Sequence, residues 1–439
     1  MHFLTQLIKD DMKPALGVTE PGAIAYATAT ARTYAGGRAK KVRLRLNSGM
    51  FKNAFTCGIP GSSQVGNYHA AALGAVAADP AKGLECLDKI SPKAAEEARQ
   101  MVEDGKITVE MSGISSQIFI EACVETDQGQ AVVTIRDAHT NIVMVSVNGK
   151  TVFEKDKNVA GVETAETCAG AETAGKENRN SSCHDIHRYT LRDLVEYVRT
   201  VPVEEIQFIG DAFRMNMALF EEGLKSPKTS YAAYLLEQNG KTVISRDEQK
   251  TASLLCNAAI EARVLGLNKP AMSITGSGAH GIIATMPLYA AYKVSGYSFE
   301  NLLRATALSY LVCMYIKEYS GKLSAFCGCA IAAGTGMACG LVFLRGGTVE
   351  MMDHTISNMA SSITGMICDG GNQGCTMKGV VAVDAAYASV NMAMKGVYIE
   401  NVHGINGNTP EQTMYHMGRI ASPGMEETER VIVEILEEK

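Results

Sequence analysis

Phe326-Cys327-Gly328-Cys329, a Gly/Ala-rich apolar run, and then Ile367-Cys368-Asp369-Gly370-Gly371-Asn372-Gln373-Gly374-Cys375 form the stretch from which the rest of the chain is read. Cys368 and Cys375 stand among glycine, aspartate and asparagine, residues that favour turns over helix or core. Cysteine used as a small hydrophobe belongs in a packed interior. Two of them in a polar, turn-rich loop read instead as ligands held out to something, with Cys327 or Cys329 as a third thiolate. Taken singly, in an apolar helix, Cys327, Cys329 and Cys339 read as ordinary core residues.

Working outward, the 439 residues are 46% hydrophobic and 20% charged, which fits a soluble globular protein of two or three domains. A net charge of −6 and the lack of any basic run argue against a nucleic-acid partner. Twelve cysteines in a chain this long are not a disulfide scaffold. The opening residues Met1 to Asp11 lack a basic region and a long apolar core, so no signal peptide is expected. Reduced thiols in a cytoplasm follow. Ser324 to Leu344 carries no charge, and its Gly336-x-x-x-Gly340 spacing suits helix association in lipid. It is too rich in alanine and glycine for a good membrane span, and a buried helix is the expectation. Tryptophan is absent while Met (22) and Gly (42) are plentiful, so core contacts rest on small and flexible side chains. A Met-rich helical body suits self-association, which leaves a homo-oligomer open.

Residues 4–35 read as helical, interrupted by Lys13 to Gly22, with Thr19 as the cap of the second helix. Val42, Leu44 and Leu46 alternate with Arg43 and Arg45, a half-buried strand. A polar, Gly-rich passage through Asn47 to Asn53 follows, then small-residue helices at 67–78 and 92–103. Strands are expected at 107–111, 118–125, 132–136, 142–147 and 151–153, with Asn148-Gly149 as a tight turn. Ala160 to Ser182 reads as a loop or linker. Thr190 opens a capped helix, and nearly everything beyond it is helical, including 323–344 as one piece. The fold class is therefore α+β: a domain with a mostly antiparallel sheet at 39–200, a helical body at 201–439, and N-terminal helices (1–38) packed on that body.

Cysteine thiolates hold iron–sulfur clusters with looser spacings than zinc sites, and the C-x6-C of Cys368 and Cys375 has no second CxxC beside it. Three protein thiolates leave one iron open to a substrate. Thr275-Gly276-Ser277-Gly278-Ala279-His280-Gly281 matches G-x-G-x-x-G, but no long preceding strand and no acid-terminated second strand accompany it, so no NAD site is expected. The same glycines before a helix can form a nest of amides for a small carboxylate. His139, between two strands, is a candidate acid/base, and Lys52 beside Asn53 a candidate carboxylate or proton-transfer group. His184 and His187 with Cys183 read as surface residues beside the linker.

Lys13-Pro14-Ala15-Leu16-Gly17-x-Thr19-Glu20-Pro21, Met50-x-Lys52-Asn53 and His139-Thr140-Asn141-Ile142-Val143 are followed by Gly276-Ser277-Gly278-x-x-Gly281-Ile282-x-Ala284-Thr285-Met286-Pro287, Leu323-Ser324-Ala325-x-Cys327 and Gly365-Met366-Ile367-Cys368-Asp369-Gly370. On these motifs the chain resembles, over nearly its whole length, the L-cysteine desulfidase family, relatives of the iron–sulfur L-serine dehydratase alpha chain. The resemblance implies a [4Fe–4S] enzyme that splits L-cysteine into pyruvate, ammonia and sulfide without pyridoxal phosphate. It implies Cys327 or Cys329, Cys368 and Cys375 as ligands, with the flanking residues favouring Cys327. Lys52, His139 and Lys378 are then candidate bases, and Thr19, Glu20, Asn53, Thr140, Asn141, Thr275, Gly276, Ser277 and Gly278 candidate contacts to a small amino-acid substrate. Val18 stands where the family usually has cysteine, which removes a candidate fourth ligand or thiol. L-Serine or another β-substituted amino acid is the alternative substrate, and a cluster-binding sensor without turnover the alternative class.

Overall fold

The computed structural model describes residues 1–155, 184–321 and 323–439; the 160–182 stretch and Cys183 lie outside them. Helix α1 (Phe3–Asp11) leads through strand β1 (Lys13–Leu16) into α2 (Thr19–Ala35). Strand β2 (Ala39–Asn47) is followed by α3 (Ser48–Ala54), α4 (Gly66–Val76) and α5 (Pro92–Glu103). Strands β3 (Ile107–Gly113), β4 (Phe119–Thr126), β5 (Gln130–Arg136), β6 (Ile142–Val147) and β7 (Lys150–Glu154) complete a six-stranded sheet of order β3-β2-β4-β5-β6-β7. The β2–β3 pair is parallel, joined by the helical crossover, and the other pairs are antiparallel.

The period-two pattern of β2 sets which face is buried. Val42, Leu44 and Leu46 are buried on the face that α4 covers, while Arg43 and Arg45 face outward and Arg45 reaches Glu121 across the strand at 3.2 Å. Asn148 and Gly149 both have positive φ (48° and 80°), the backbone that a two-residue hairpin between β6 and β7 requires. Of the N-terminal helices, α1 packs on the helical body, whereas α2 lies across β4 and β5. An alanine-rich helix offers a smooth surface, and the apolar sheet face is the larger area to cover.

The body is built from α6 (Leu191–Thr200), α7 (Val203–Ile206), α8 (Gly210–Lys225), α9 (Tyr231–Gln238) and α10 (Glu248–Val264), then strand β8 (Pro270–Ser273), which pairs antiparallel with β1. It continues with α11 (Gly278–Ser295), α12 (Phe299–Ser320), α13 (Gly334–Leu344), α14 (Val349–Ile363), α15 (Gly374–Ala393), α16 (Pro410–Ala421) and α17 (Glu426–Glu437). Thr190 caps α6 in a reciprocal capping box with Asp193. Helix α10 is buried all round from Thr251 to Val264, enclosed by α8, α9, α11 and α15. A side chain at Gly336 would come within 2.2 Å of the Ser309 carbonyl, so α13 rests backbone to backbone on α12. The Gly336/Gly340 spacing thus serves close packing inside the protein, and no helix among the described residues is long and apolar enough to cross a membrane.

Four local expectations are corrected. The window 323–344 is not one helix: Phe326 is extended, Cys329–Ala333 form a π-helical turn, and α13 starts only at Gly334. The Gly-rich passage at 47–53 includes the buried helix α3. Thr19 is the first residue of α2 rather than its cap, and its hydroxyl donates to the Gly276 carbonyl at 3.3 Å. His187 is not a surface residue; its ring stacks on Tyr319 and its Nε2 lies 3.0 Å from the Tyr315 carbonyl.

Candidate active site

Two distant segments bring the thiols together. Phe326 and Ile367 form an isolated antiparallel bridge, with Cys327 N donating to Met366 O at 3.0 Å and Cys368 N to Ala325 O at 2.5 Å. Cys327 and Cys368 flank this bridge, which is why the chain leaves helical geometry there. Beyond it Asn372 turns the chain, its Oδ1 accepting from Gly374 N at 2.8 Å. Cys375 therefore sits in the first turn of α15, not in the loop, with Sγ 3.4 Å from the Gly370 carbonyl. Gly370, at φ 113°, lies where any Cβ would strike the Lys52 carbonyl at 2.4 Å.

The four thiols share one electrostatic environment. The Cys329 thiol donates to Cys327, which brings Cys327 down to about 7 against the effect of burial and pushes Cys329 up. Burial raises Cys368, and it raises Cys375 to about 12, helped by the neighbouring Cys368. A bound cation reverses such penalties by deprotonating the thiols it coordinates. Among the described residues no three His, Cys, Asp or Glu side chains are arranged to hold a metal ion. A multi-iron cluster keeps its thiolates farther apart than one ion does, and an all-sulfur donor set suits it.

From the thiols a line of contacts runs to an imidazole. Cys368 Sγ lies 3.9 Å from Asn53 Oδ1, Asn53 Nδ2 donates to Glu20 Oε1 at 2.9 Å, and Glu20 Oε1 is 3.8 Å from His139 Nε2. That separation exceeds a hydrogen bond, and His139 Nε2 is buried without a hydrogen-bond partner among the described residues. Burial alone would raise the Glu20 carboxyl; His139, the Asn53 amide and the Arg263 charge outweigh it and hold the group at about 2. Its place in the first turn of α2 acts in the same direction.

A stability consequence follows from Glu20. With its folded pKa below the ordinary 4.5, its contribution is full above about pH 5 and is lost as pH falls toward 2. Glu20→Gln is expected to cost about 3 kcal/mol in urea unfolding at pH 7, with the gap to the parent closing as pH approaches 2. A gap that stays constant across that range would contradict the linkage.

On the other side of His139 the chain makes a tight turn. Thr275 and Gly276 both have positive φ (51° and 74°), closed by mutual hydrogen bonds between Ile274 and Ser277. Asp11 accepts from the Thr275 amide, and the Thr275 hydroxyl bonds His280 Nδ1. Burial, with the charges of Lys317 and Arg263, keeps His280 neutral. Ser277 caps α11 without using its hydroxyl on the first-turn amides. Arg263, in the last turn of α10, projects to this turn: a Cβ on Gly278 would lie 2.7 Å from its Nε.

The remaining candidates are placed as follows. Lys52 is 1% exposed, its Nζ donating to Glu429 Oε2 at 2.5 Å and to the Ser324 carbonyl at 3.3 Å. Lys378 pairs with Asp369; burial would lower it, but this bond and the thiols Cys368 and Cys375 raise it, so it keeps its proton. Thr140 is exposed, and Asn141 uses its amide within the β5–β6 loop, donating to the Arg136 carbonyl and accepting from Lys155. Two functional neighbours escaped the sequence reading, Arg263 and Glu429. Each has an ordinary local explanation, a cation in a last helical turn and an acid in a first one, and no local signal sets them apart.

The helical body thus carries thiols from two segments beside the Glu20–His139 pair. The chain belongs to the serine dehydratase alpha chain family, which residues 81–434 match. It is 41% identical to a UPF0597 protein of Clostridium botulinum (strain Langeland) over 439 residues, 99% of this chain and 98% of that one. A UPF0597 protein of Caldanaerobacter subterraneus is 34% identical over 437 residues, with 100% and 98% covered. One from Desulfatibacillum aliphaticivorans is 32% identical over 437 residues, with 99% and 97% covered. Family membership points to a dehydratase- or lyase-type function.

Proposed function

We propose that the protein is a [4Fe–4S]-dependent L-cysteine desulfidase that eliminates sulfide from L-cysteine and yields pyruvate and ammonia. One observation carries this reading: thiols from two segments flank a single β-bridge and connect, through Asn53 and Glu20, to the His139 imidazole, whose buried Nε2 has no hydrogen-bond partner among the described residues. Cys368, Cys375 and Cys327 would hold the cluster, which when bound supplies a Lewis-acidic iron that polarises the substrate.

The chain's own residues account for the proton. His139 Nε2 accepts it from the α-carbon, and the Glu20 carboxylate, ionised throughout the working pH range, stabilises the imidazolium that forms. Asn53 fixes Glu20 in place. Lys52 and Lys378 are bound to carboxylates and act as fixed positive charges beside the thiols, not as bases. The turn at Gly276 to Gly278 receives the carboxylate. The β-substituent leaves with the electron pair of its bond to carbon, and the aminoacrylate hydrolyses in solution to pyruvate and ammonia.

L-Serine is the second reading, favoured by the family's description and by Val18 in the position of a family thiol. Protein prepared and reconstituted without oxygen is expected to be brown, with about four irons per chain, and to release pyruvate faster from L-cysteine than from L-serine. Faster release from L-serine would favour the dehydratase. Colourless, iron-free protein after reconstitution would overturn both.

A further inference from the structure

We propose that Arg263 and the first turn of α11 form a built anion site that anchors the α-carboxylate of the substrate. The proposal rests on the lyase reading for the name of its ligand, but the site stands on geometry of its own.

Arg263 is 4% exposed and its Nε has no hydrogen-bond partner among the described residues. A guanidinium presents five donors in a fixed fork and is costly to bury without an acceptor. This one is directed at the start of an 18-residue helix, 2.7 Å from the position of a Gly278 Cβ. Glycine at 278 is what lets the turn settle onto the guanidinium. The first-turn amides of Gly278, Ala279 and His280 have no acceptor within the helix, and the Ser277 hydroxyl does not take them. A helix N-terminus and a buried cation with an unused donor thus meet at one point, and both favour an anion.

The two carboxylates near this point are already engaged: Asp11 accepts from the Thr275 amide, and Glu20, which feels Arg263, is bonded to Asn53 and faces His139. His280 is neutral, and Lys317 adds a second buried cation nearby. The ring of His139 lies 3.8 Å from where a Gly276 Cβ would stand, so the anion site adjoins the proposed base. A carboxylate is the anion whose two oxygens match the guanidinium fork, and lysine would not substitute for it. The site therefore selects free α-amino acids over their amides.

The test uses reconstituted full-length protein, with Arg263→Met and Arg263→Lys variants and L-alanine, which has the carboxylate but no leaving group, as probe. L-Alanine is expected to raise the melting temperature of the parent while L-alaninamide does not. Arg263→Met should melt no lower than the unliganded parent, because a buried guanidinium with an unused donor has gone. It should also lose the L-alanine response. In turnover both variants should raise KM about 100-fold or more, with kcat changed far less. A parent indifferent to L-alanine, a methionine variant that melts well below the parent, or one that keeps the response would each overturn the site. An unaltered KM in an active variant sinks the site and spares the lyase reading. An Arg263-dependent L-alanine response in protein that turns over no amino acid sinks the lyase reading and spares the site.

Discussion

Serine in place of Cys368, or of Cys375, is expected to give colourless protein whose lyase activity is lower by on the order of a thousandfold or more. The loss of a Lewis acid worth several kcal/mol of transition-state stabilisation sets that scale. Both residues are held by backbone that the substitution leaves intact, Cys368 through the bridge to Ala325 and Cys375 through the Asn372 turn. The variants should accordingly keep their far-UV signature and fold. Cys339→Ser provides the contrast. Cys339 is fully buried in α13 with its thiol pushed up to about 12 by burial, so its replacement should retain the iron and cost only stability. Serine at Cys327 and at Cys329 in turn identifies the third ligand as the one whose loss bleaches the protein. Iron content and absorbance measured without oxygen decide the matter, and colour retained in Cys368→Ser or Cys375→Ser would refute the ligand set.

His139→Gln should lower kcat by roughly 10²- to 10⁴-fold, the usual value of a positioned acid/base group. Iron content should be unchanged. Of the three candidate bases, His139 alone presents a buried nitrogen without a hydrogen-bond partner among the described residues, while Lys52 and Lys378 are each bound to a carboxylate. Glu20, ionised down to about pH 2, stays an anion beside the ring at every practical assay pH. A His139→Gln variant that keeps the parent's kcat would assign the proton to another group.

Much of the sheet could be read locally. The alternation of Val42, Leu44 and Leu46 sets the buried face of β2, and Asn148-Gly149 has the backbone that its hairpin demands. Cys368 and Cys375 stand out in the sequence because cysteine is unusual in a polar turn, although Cys375 lies in the first turn of α15. What escaped were features decided by partners far along the chain. Uncharged residues from Ser324 to Leu344 satisfy every local criterion for one helix, yet the bridge from Phe326 to Ile367 breaks it beside Cys327. Lys52 in a Gly-rich passage reads as a candidate carboxylate or proton-transfer group, and its burial beside Glu429 cannot be foreseen from either segment. Arg263 is an ordinary last-turn cation until β8 and the start of α11 fold over it.

The Lys52–Glu429 pair has a consequence for how the molecule is made. Its members are 377 positions apart. At about 5 to 20 residues per second of synthesis, Lys52 waits roughly 20 to 75 s for its counter-charge. Until α17 emerges from the ribosome, the ammonium of α3 lacks the Glu429 carboxylate beside which it is buried in the finished fold.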